Sequence, residues 1–232
     1  MMNGKTLHIA MTREETLRGW IYLPLQLLLL PLLLQAGNGL LPDPLSPAAL
    51  NFVYYTINFA AVCLFFRSFL QKNLAMVKLR MGYTLQSAFL GFLLNLAADL
   101  ALRWCVSRLY PGFSNVNDRY VTALTAQNYT LMAIGTVFLV PVAEETFYRG
   151  LVFQGLYHRS KAAAYIVSML VFSAVHVIGY VGIYEPLLLL LCFVQYLPAG
   201  LCLAWAYARA DTIAAPILLH MSVNAICIYA VR

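Results

Sequence analysis

The sequence is dominated by apolar runs that are about as long as a lipid bilayer is thick. A helix needs about 20 apolar residues to cross the hydrocarbon core of a membrane, and runs near that length follow one another along most of the chain. Only 10% of the residues are charged, against about 25% in an ordinary soluble domain. The sequence therefore predicts an all-α fold, a polytopic bundle of transmembrane helices.

We expect about seven spans, within a range of six to eight, in a single integral membrane domain over residues 1–232. No segment is long enough for a separate soluble domain, and the polar motifs described below lie in a core of about 124–231. Thr12 and Glu15 fit a capping box for a short helix that leads into the first span. The predicted spans are 20–36, 49–70, 82–106, 124–148, 162–180, 187–208 and 212–231.

The cations cluster at one set of span ends. Ten of the fifteen Lys and Arg residues fall on the side that holds the N-terminus, four fall on the other side, and Arg149 lies within the fourth helix. Loops rich in Lys and Arg face the cytosol, so the distribution predicts a multi-pass protein with a cytosolic N-terminus. The ten are Lys5, Arg13, Arg18, Arg67, Lys72, Lys78, Arg80, Arg159, Lys161 and Arg209, and the four are Arg103, Arg108, Arg119 and Arg232.

The net charge of +6 does not indicate a nucleic-acid partner, because no basic face interleaved with stacking aromatics is present. The partner that the composition predicts is the lipid bilayer. The five cysteines lie in or beside apolar runs, their number is odd, and none forms a C-x-x-C pair. We interpret them as small buried apolar residues, neither disulfides nor metal ligands.

Polar groups inside the apolar spans are the most informative feature of the sequence. Each charge at the centre of a span costs about 2.5–3.5 kcal/mol, so a group of them needs a reason. At about 1.5 Å per residue, the polar groups of three spans lie roughly 13–21 Å below the surface on the N-terminal side. Their overlapping depths predict one shared polar cavity. The groups are Glu144-Glu145 with Arg149, His176, and His220 with Asn224.

Residues four apart share a helix face. Glu145 can therefore pair with Arg149, while Glu144, about 100° further round the helix, can face the cavity. His220 and Asn224 project together in the same way. Asp99 and Arg103 have the same spacing in the third span, and we interpret them as a structural ion pair.

Three motifs stand in order on successive spans: Glu144-Glu145-x-x-x-Arg149, Phe172-x-x-x-His176 and His220-x-x-x-Asn224. They resemble the E-E-x-x-x-R, F-x-x-x-H and H-x-x-x-N motifs of the CAAX-protease and bacteriocin-processing (Abi) family of intramembrane endopeptidases, whose best-known branch is the type II CAAX prenyl endopeptidases. The resemblance covers about 144–224. It implies a helical membrane enzyme of the bacterial kind, in a plasma membrane, with a catalytic cavity open toward the cytosol. It also implies a membrane-associated peptide or protein as substrate.

The resemblance also implies roles for the motif residues. Glu144 and His176 would activate a water, and His220 and Asn224 would stabilise the oxyanion of the tetrahedral intermediate. Glu145 and Arg149 would complete the first motif as supporting residues.

We expect no cofactor, although a divalent metal such as zinc stays open. Catalytic zinc takes three protein ligands and a water, and Glu144, His176 and His220 would be the candidates. The motif H-E-x-x-H is absent, and Asn224 stands where the second histidine would be. Since an amide is a poor zinc ligand and a good hydrogen-bond donor, the sequence favours the metal-free arrangement.

Two other classes of protein remain open from the residues alone. Acids and histidines inside a membrane also mark transporters and proton relays, although the paired half-helices of transporter repeats are not visible. A non-catalytic membrane scaffold could retain the same motifs. The residues do not indicate the oligomeric state or which peptide is cut: prenylated CAAX proteins and bacteriocin or pheromone precursors all remain open.

Overall fold

The structure, a computed structural model, describes residues 7–231. This part of the chain is built from helices and contains no strand. The helices are α1 (Arg13–Asn38), α2 (Pro47–Phe65), α3 (Arg67–Leu109), α4 (Val116–Gln127), α5 (Tyr129–Tyr157), α6 (Lys161–Val175), α7 (Pro186–Ala210) and α8 (Ala214–Tyr229). A 3₁₀ turn at Ile178–Tyr180 follows α6.

The predicted fold class is confirmed. In the described residues, six helices are long and apolar enough to cross a membrane: α1, α2, α3, α5, α6 with its 3₁₀ turn, and α7. α8 is shorter and apolar, and it packs against α3, α5 and α7. Six candidate spans lie at the lower end of the predicted range of six to eight, and α8 occupies the position of the seventh predicted span.

Several predicted boundaries are wrong, among them the end of the fourth span, which is predicted at 148 although the helix continues to Tyr157. The second predicted span ends at 70, whereas α2 ends at Phe65 and α3 begins two residues later. α3 is 43 residues long and contains one non-helical residue, Arg80 (φ −124°, ψ 26°). The helix bends there, which separates a charged first part from the membrane-spanning second part that the sequence predicts as 82–106.

The fourth predicted span begins too early, at 124. Asn128 interrupts the helix with an extended backbone, and its side-chain oxygen accepts a hydrogen bond from the amide of Leu131 (3.1 Å). Asn is a favoured N-cap residue because its side chain satisfies a free amide of the first helical turn. α4 is therefore a separate short helix, and the span itself begins at Tyr129.

The helices alternate in direction, so the bundle has two ends. The N-terminal end contains the start of α1, the α2–α3 turn with the bend of α3, the α5–α6 loop and the α7–α8 turn. The C-terminal end contains the α1–α2 loop, helix α4, the α6–α7 loop and the end of α8. Two of the cations counted above, Lys5 and Arg232, lie outside the described residues.

The N-terminal segment is fastened to the N-terminal end of the bundle. The predicted capping box is confirmed, with the Glu15 carboxylate accepting from the amide of Thr12 and the Thr12 hydroxyl accepting from the amide of Glu15. Glu15 also accepts from the backbone amide of Phe69 (2.8 Å). His8 is exposed but binds the buried carboxylate of Asp211. These bonds close the N-terminal end over its apolar core.

α6 and α7 approach each other closely at Gly200. A Cβ atom at this position would lie 3.0 Å from the Cα atom of Met169 and 3.1 Å from its carbonyl oxygen. Both are backbone atoms, which cannot move aside as a flexible side chain can. The glycine therefore sets the spacing of the two helices beside the candidate site.

We predict that Gly200→Val separates α6 from α7 and destabilises the protein by about 1–3 kcal/mol, the usual cost of overpacking. The measurement is the midpoint of thermal unfolding of the detergent-purified protein. Gly82→Val is the matched control, since Gly82 is also helical and has no neighbour within 4 Å of its added Cβ. Equal midpoints for the two variants would contradict this account of the packing.

Candidate active site

The three motif-bearing helices meet around one cavity of about 880 Å³. Glu144 from α5, His176 from the end of α6, and His220 and Asn224 from α8 all line it. Glu145 and Arg149 are completely buried and lie behind the cavity wall. The structure thus brings the four predicted catalytic side chains to one cavity and places the two supporting residues next to it.

Local distortion of α5 presents the two glutamates. π-helical turns at Gly135–Leu139 and Thr146–Phe153 flank the short α-helical piece Val140–Glu145. Pro141, the second residue of that piece, lies inside α5 and has no amide hydrogen to bond the preceding turn, which is the π-turn. π-turns widen a helix and are frequent at functional sites. Here they rotate Glu144 toward the cavity and leave Glu145 in the bundle interior.

Glu145 links Arg149 to His220. The guanidinium of Arg149 lies against both carboxylate oxygens (Nε–Oε2 3.2 Å, Nη1–Oε1 3.4 Å). On the other side, Nδ1 of His220 lies 2.8 Å from Oε1 of Glu145. Arg149 also donates to the carbonyl oxygen of Gly200 (3.1 Å) and stands 4.6 Å above the ring of Phe172. The buried cation is therefore paired with a carboxylate and donates hydrogen bonds from Nη1 and Nη2, while Nε makes only the ion-pair contact.

This contact fixes the tautomer of His220. Since a carboxylate only accepts hydrogen bonds, Nδ1 of His220 carries the proton that Glu145 binds. In the neutral ring Nε2 is then an acceptor, and it becomes a donor only when the ring is doubly protonated. The carboxylate orients the imidazole as the aspartate of a Ser-His-Asp triad orients its histidine, through a hydrogen bond to Nδ1.

Glu144 is held differently from Glu145. The Oε2 atoms of Glu144 and Glu145 are both buried without a hydrogen-bond partner among the described residues, but only that of Glu145 lies beside a cation, Nε of Arg149 (3.2 Å). The hydroxyl groups of Tyr54, Tyr55 and Tyr148 lie close enough for electrostatic interaction with the Glu144 carboxylate. A buried polar atom without a protein partner needs water or a ligand to satisfy it. Glu144 is thus the acid whose oxygen is available to a molecule in the cavity.

His176 occupies the C-cap of α6. Its Nδ1 atom lies 2.7 Å from the carbonyl oxygen of Phe172, which can only accept, so Nδ1 donates and Nε2 is left as an acceptor. The ring stacks on Tyr196 of α7 (centroids 4.2 Å apart, planes at 27°). The hydroxyl of Tyr196 in turn donates to Asp118 (2.8 Å). Helix α4 therefore supports His176 through Tyr196.

Asn224 is oriented by one hydrogen bond from its side-chain nitrogen, which donates to the carbonyl oxygen of Thr136 in α5 (2.8 Å). An amide nitrogen has two protons. The second remains for a group in the cavity.

The cavity wall includes residues that the motifs do not indicate. Tyr196 and Gln195 line it from α7, and the ion pair of Asp99 with Arg103 (2.7 Å) lines it from α3. The polar side chains of Gln195 and Tyr196 inside an apolar run are the sequence feature that could have predicted their place in the cavity wall. α7 continues through Pro198 without a break.

The residues do not form a ready metal site. Within the described part of the chain, no group of three His, Cys, Asp or Glu side chains is placed to hold a metal ion. Glu144, His176 and His220 line the same cavity but do not make such a group. Glu145, the acid in contact with a site histidine, is already paired with Arg149.

The fold and the cavity define a polytopic membrane protein with a polar site buried in its bundle. Residues 126–226 match the sequence model of the family described as type II CAAX prenyl endopeptidase Rce1-like. The match takes in all three motifs and somewhat less than half of the chain, and it confirms the family resemblance for these residues. It supports a protease of the CAAX endopeptidase kind. None of the curated proteins and none of the solved structures matches the chain.

The two glutamates should differ in what they do for stability. We predict that Glu145→Gln destabilises the protein by about 3–5 kcal/mol, because it leaves the buried Arg149 cation without its counter-ion. Glu144→Gln, the matched control on the next residue, removes no hydrogen bond and should leave the unfolding midpoint unchanged or higher. Thermal unfolding of both purified variants checks this. A similar loss in both would show that Glu144 is also paired.

Proposed function

We propose that the protein is an intramembrane endopeptidase that hydrolyses a peptide bond of a membrane-associated peptide or protein. The observation that carries the proposal is the shared cavity, where an unpartnered carboxylate, two imidazoles and an amide from three helices meet. The family match over the same helices supports it.

In the proposed reaction, Glu144 is the general base. A water in the cavity donates one proton to the Glu144 carboxylate and a hydrogen bond to Nε2 of His176. Both acceptors are available, since Oε2 of Glu144 has no partner and Nδ1 of His176 is engaged by Phe172. As Glu144 takes the proton, the water oxygen bonds to the carbonyl carbon of the substrate.

The carbonyl oxygen then becomes an oxyanion that needs donors. The second amide proton of Asn224 supplies one. Nε2 of His220 supplies another when the ring is doubly protonated, with Nδ1 still bound to the Glu145 carboxylate. Each such donor typically contributes about 10²–10³ in rate. When the carbon–nitrogen bond breaks, Glu144 gives its proton to the leaving amine. The peptide is then hydrolysed to an acid and an amine, and the Glu144 carboxylate is regenerated.

Glu144→Gln should lower the rate of peptide cleavage by about 10²–10⁴-fold, the usual contribution of a general base. The measurement is hydrolysis of a prenylated peptide ending in a C-a-a-X sequence by the protein in liposomes, with products identified by mass spectrometry. Glu185→Gln is the matched control, because Glu185 is exposed at the start of α7, outside the cavity.

For a different natural substrate, a second assay compares the membrane peptides of cells that express the wild type or Glu144→Gln. In cells that express Glu144→Gln an uncleaved precursor should accumulate, and the other membrane peptides should be unchanged. Cleavage at the wild-type rate by Glu144→Gln would remove Glu144 as the base, whatever the substrate.

We further propose that the reaction needs no metal, since the donor atoms are not grouped around one point. Cleavage should survive prolonged treatment with a strong zinc chelator such as 1,10-phenanthroline. Loss of activity that returns on addition of zinc alone would contradict this. The inactive analogue 1,7-phenanthroline, which has the same rings without the chelating geometry, is the control.

A further inference from the structure

α3 contributes a polar stripe to the cavity that the three motifs do not include. Asn95, Asp99 and Arg103 follow one another at intervals of four residues, so they share one face of the helix. All three line the large cavity. Asn95 is 6% exposed and lies inside the membrane-spanning part of α3.

Within this stripe only Asn95 lacks a partner. The carboxylate of Asp99 accepts a hydrogen bond from Nε of Arg103 (2.7 Å), so these two charges satisfy each other. Among the described residues, the side-chain amide of Asn95 makes no hydrogen bond, and its Oδ1 atom is buried. An amide offers an acceptor oxygen and two donor protons, and leaving them unbound inside a membrane bundle is costly. This cost indicates that a molecule in the cavity binds the side chain.

A second asparagine of the cavity wall shows the usual arrangement. Asn58 of α2 is 4% exposed and lines the same cavity. Its side-chain oxygen accepts from the hydroxyl of Tyr22 (3.0 Å), and its nitrogen donates to the carbonyl oxygen of Tyr54 (3.0 Å). Both halves of that amide are therefore used within the protein. Asn95 is buried to the same degree and has neither bond.

The packing of α3 on α8 sets the depth of Asn95. The two helices run in the same direction and pack against each other. A Cβ atom at Gly91 of α3 would lie 2.5 Å from Cδ1 of Leu219 in α8, so these two residues lie side by side. Asn95 follows Gly91 by about one turn, and Asn224 follows Leu219 by slightly more than one turn. Asn95 therefore lies at the depth of Asn224.

The next turn of the two helices agrees with this register. Asp99, one turn beyond Asn95, lies close enough to Cys227 of α8 for electrostatic interaction. Cys227 follows Asn224 by about one turn and also lines the cavity. The free amide of Asn95 and the proposed oxyanion donor Asn224 thus lie in one layer of the bundle.

We infer that Asn95 is a substrate-binding residue, whose side-chain amide binds a backbone peptide group next to the bond that is cut. This inference rests on the proposed function and adds a binding subsite to it. A peptide group has one N–H donor and one carbonyl acceptor, and the Asn95 amide complements both. A prenyl or acyl chain offers no hydrogen bond, so the apolar part of a substrate would leave this amide unsatisfied.

The spacing of a peptide chain suits this arrangement. Consecutive Cα atoms are about 3.8 Å apart, so peptide groups flank the reacting carbonyl at short and regular distances. When that carbonyl binds Asn224, a neighbouring peptide group reaches the same layer of the cavity. Asn95 then holds the chain on both sides of Oδ1 and Nδ2 without touching the reacting atoms.

The first test measures stability without any ligand. Asn95→Leu removes an amide that has no partner, so the unfolding midpoint of the detergent-purified protein should stay the same or rise. Asn58→Leu is the matched control, and it should lower the midpoint by several degrees because it leaves the Tyr22 hydroxyl and the Tyr54 carbonyl unpaired. An equally low midpoint for Asn95→Leu would show that its amide is bonded within the protein and would overturn the inference.

The second test measures cleavage of the prenylated C-a-a-X peptide in liposomes. Asn95→Leu should lower kcat/KM about 10–100-fold, the effect of losing one or two buried hydrogen bonds, and the change should lie mainly in KM. Asn95→Gln, which keeps the amide, should recover part of the loss. In the inactive Glu144→Gln background, Asn95→Leu should raise the Kd of the uncleaved peptide by a similar factor. A fall in kcat with unchanged KM and Kd would overturn the binding role.

The third test identifies the peptide group. Peptides that carry an N-methyl group on one amide near the cleaved bond lose that N–H donor. One of them should bind about tenfold more weakly to the Glu144→Gln protein and should lose nothing further when Asn95→Leu is added. Equal losses in both proteins for every methylated peptide would overturn the inference.

The outcomes separate the inference from the proposed function. If the wild type cleaves the peptide and Asn95→Leu does so with the same KM and Kd, the amide binds only water, and the inference fails while the endopeptidase stands. If the wild type neither binds nor cleaves the peptide, the result counts against the proposed function and against the substrate-binding role of Asn95 together.

Discussion

The buried guanidinium of Arg149 is the constraint on which the site depends. A cation in the interior of a membrane bundle is tolerated only when its charge is balanced and its protons are bound. Glu145 supplies the charge, the carbonyl of Gly200 accepts a proton, and the face of Phe172 covers the guanidinium. Because these partners come from α5, α6 and α7, satisfying one cation fixes three helices relative to one another.

The same carboxylate also positions a candidate catalytic group. Glu145 uses one oxygen for both Arg149 and His220, so the imidazole on α8 takes its position from the ion pair on α5. The neighbouring acid, Glu144, makes no such ion pair and lines the cavity. The two adjacent glutamates thus differ in role because they point to different sides of α5. Glu145 stabilises the packing of the helices, and Glu144 is available to a molecule in the cavity.

Much of this arrangement could be predicted from the sequence, because it follows from helix geometry. The apolar runs predict the spans, and the i, i+4 spacing predicts the pairing of Glu145 with Arg149. Polar groups at overlapping depths predict a shared cavity for Glu144, His176 and Asn224. These features depend on the regular rise and turn of a helix, which the sequence determines locally.

Other features depend on how helices rotate and pack, and local patterns do not contain that information. The contact of Glu145 with His220 joins residues 75 positions apart, and the stacking of Tyr196 on His176 depends on the position of α4. The sequence places His176 by counting residues from the N-terminal side of the membrane. That count could not show that α6 ends at Val175, directly before His176. The breaks at Arg80 and Asn128 were also hidden, since one polar residue in a long helical run more often continues a helix than interrupts it.

The length of one motif-bearing helix has a consequence for the surrounding lipid. α8 has 16 residues, or about 24 Å of helix, whereas the hydrocarbon core is about 30 Å thick. A bilayer accommodates such a hydrophobic mismatch by local thinning. We expect the leaflet beside α8 to dip toward His220 and Asn224, which would shorten the distance from the headgroup layer to the cavity.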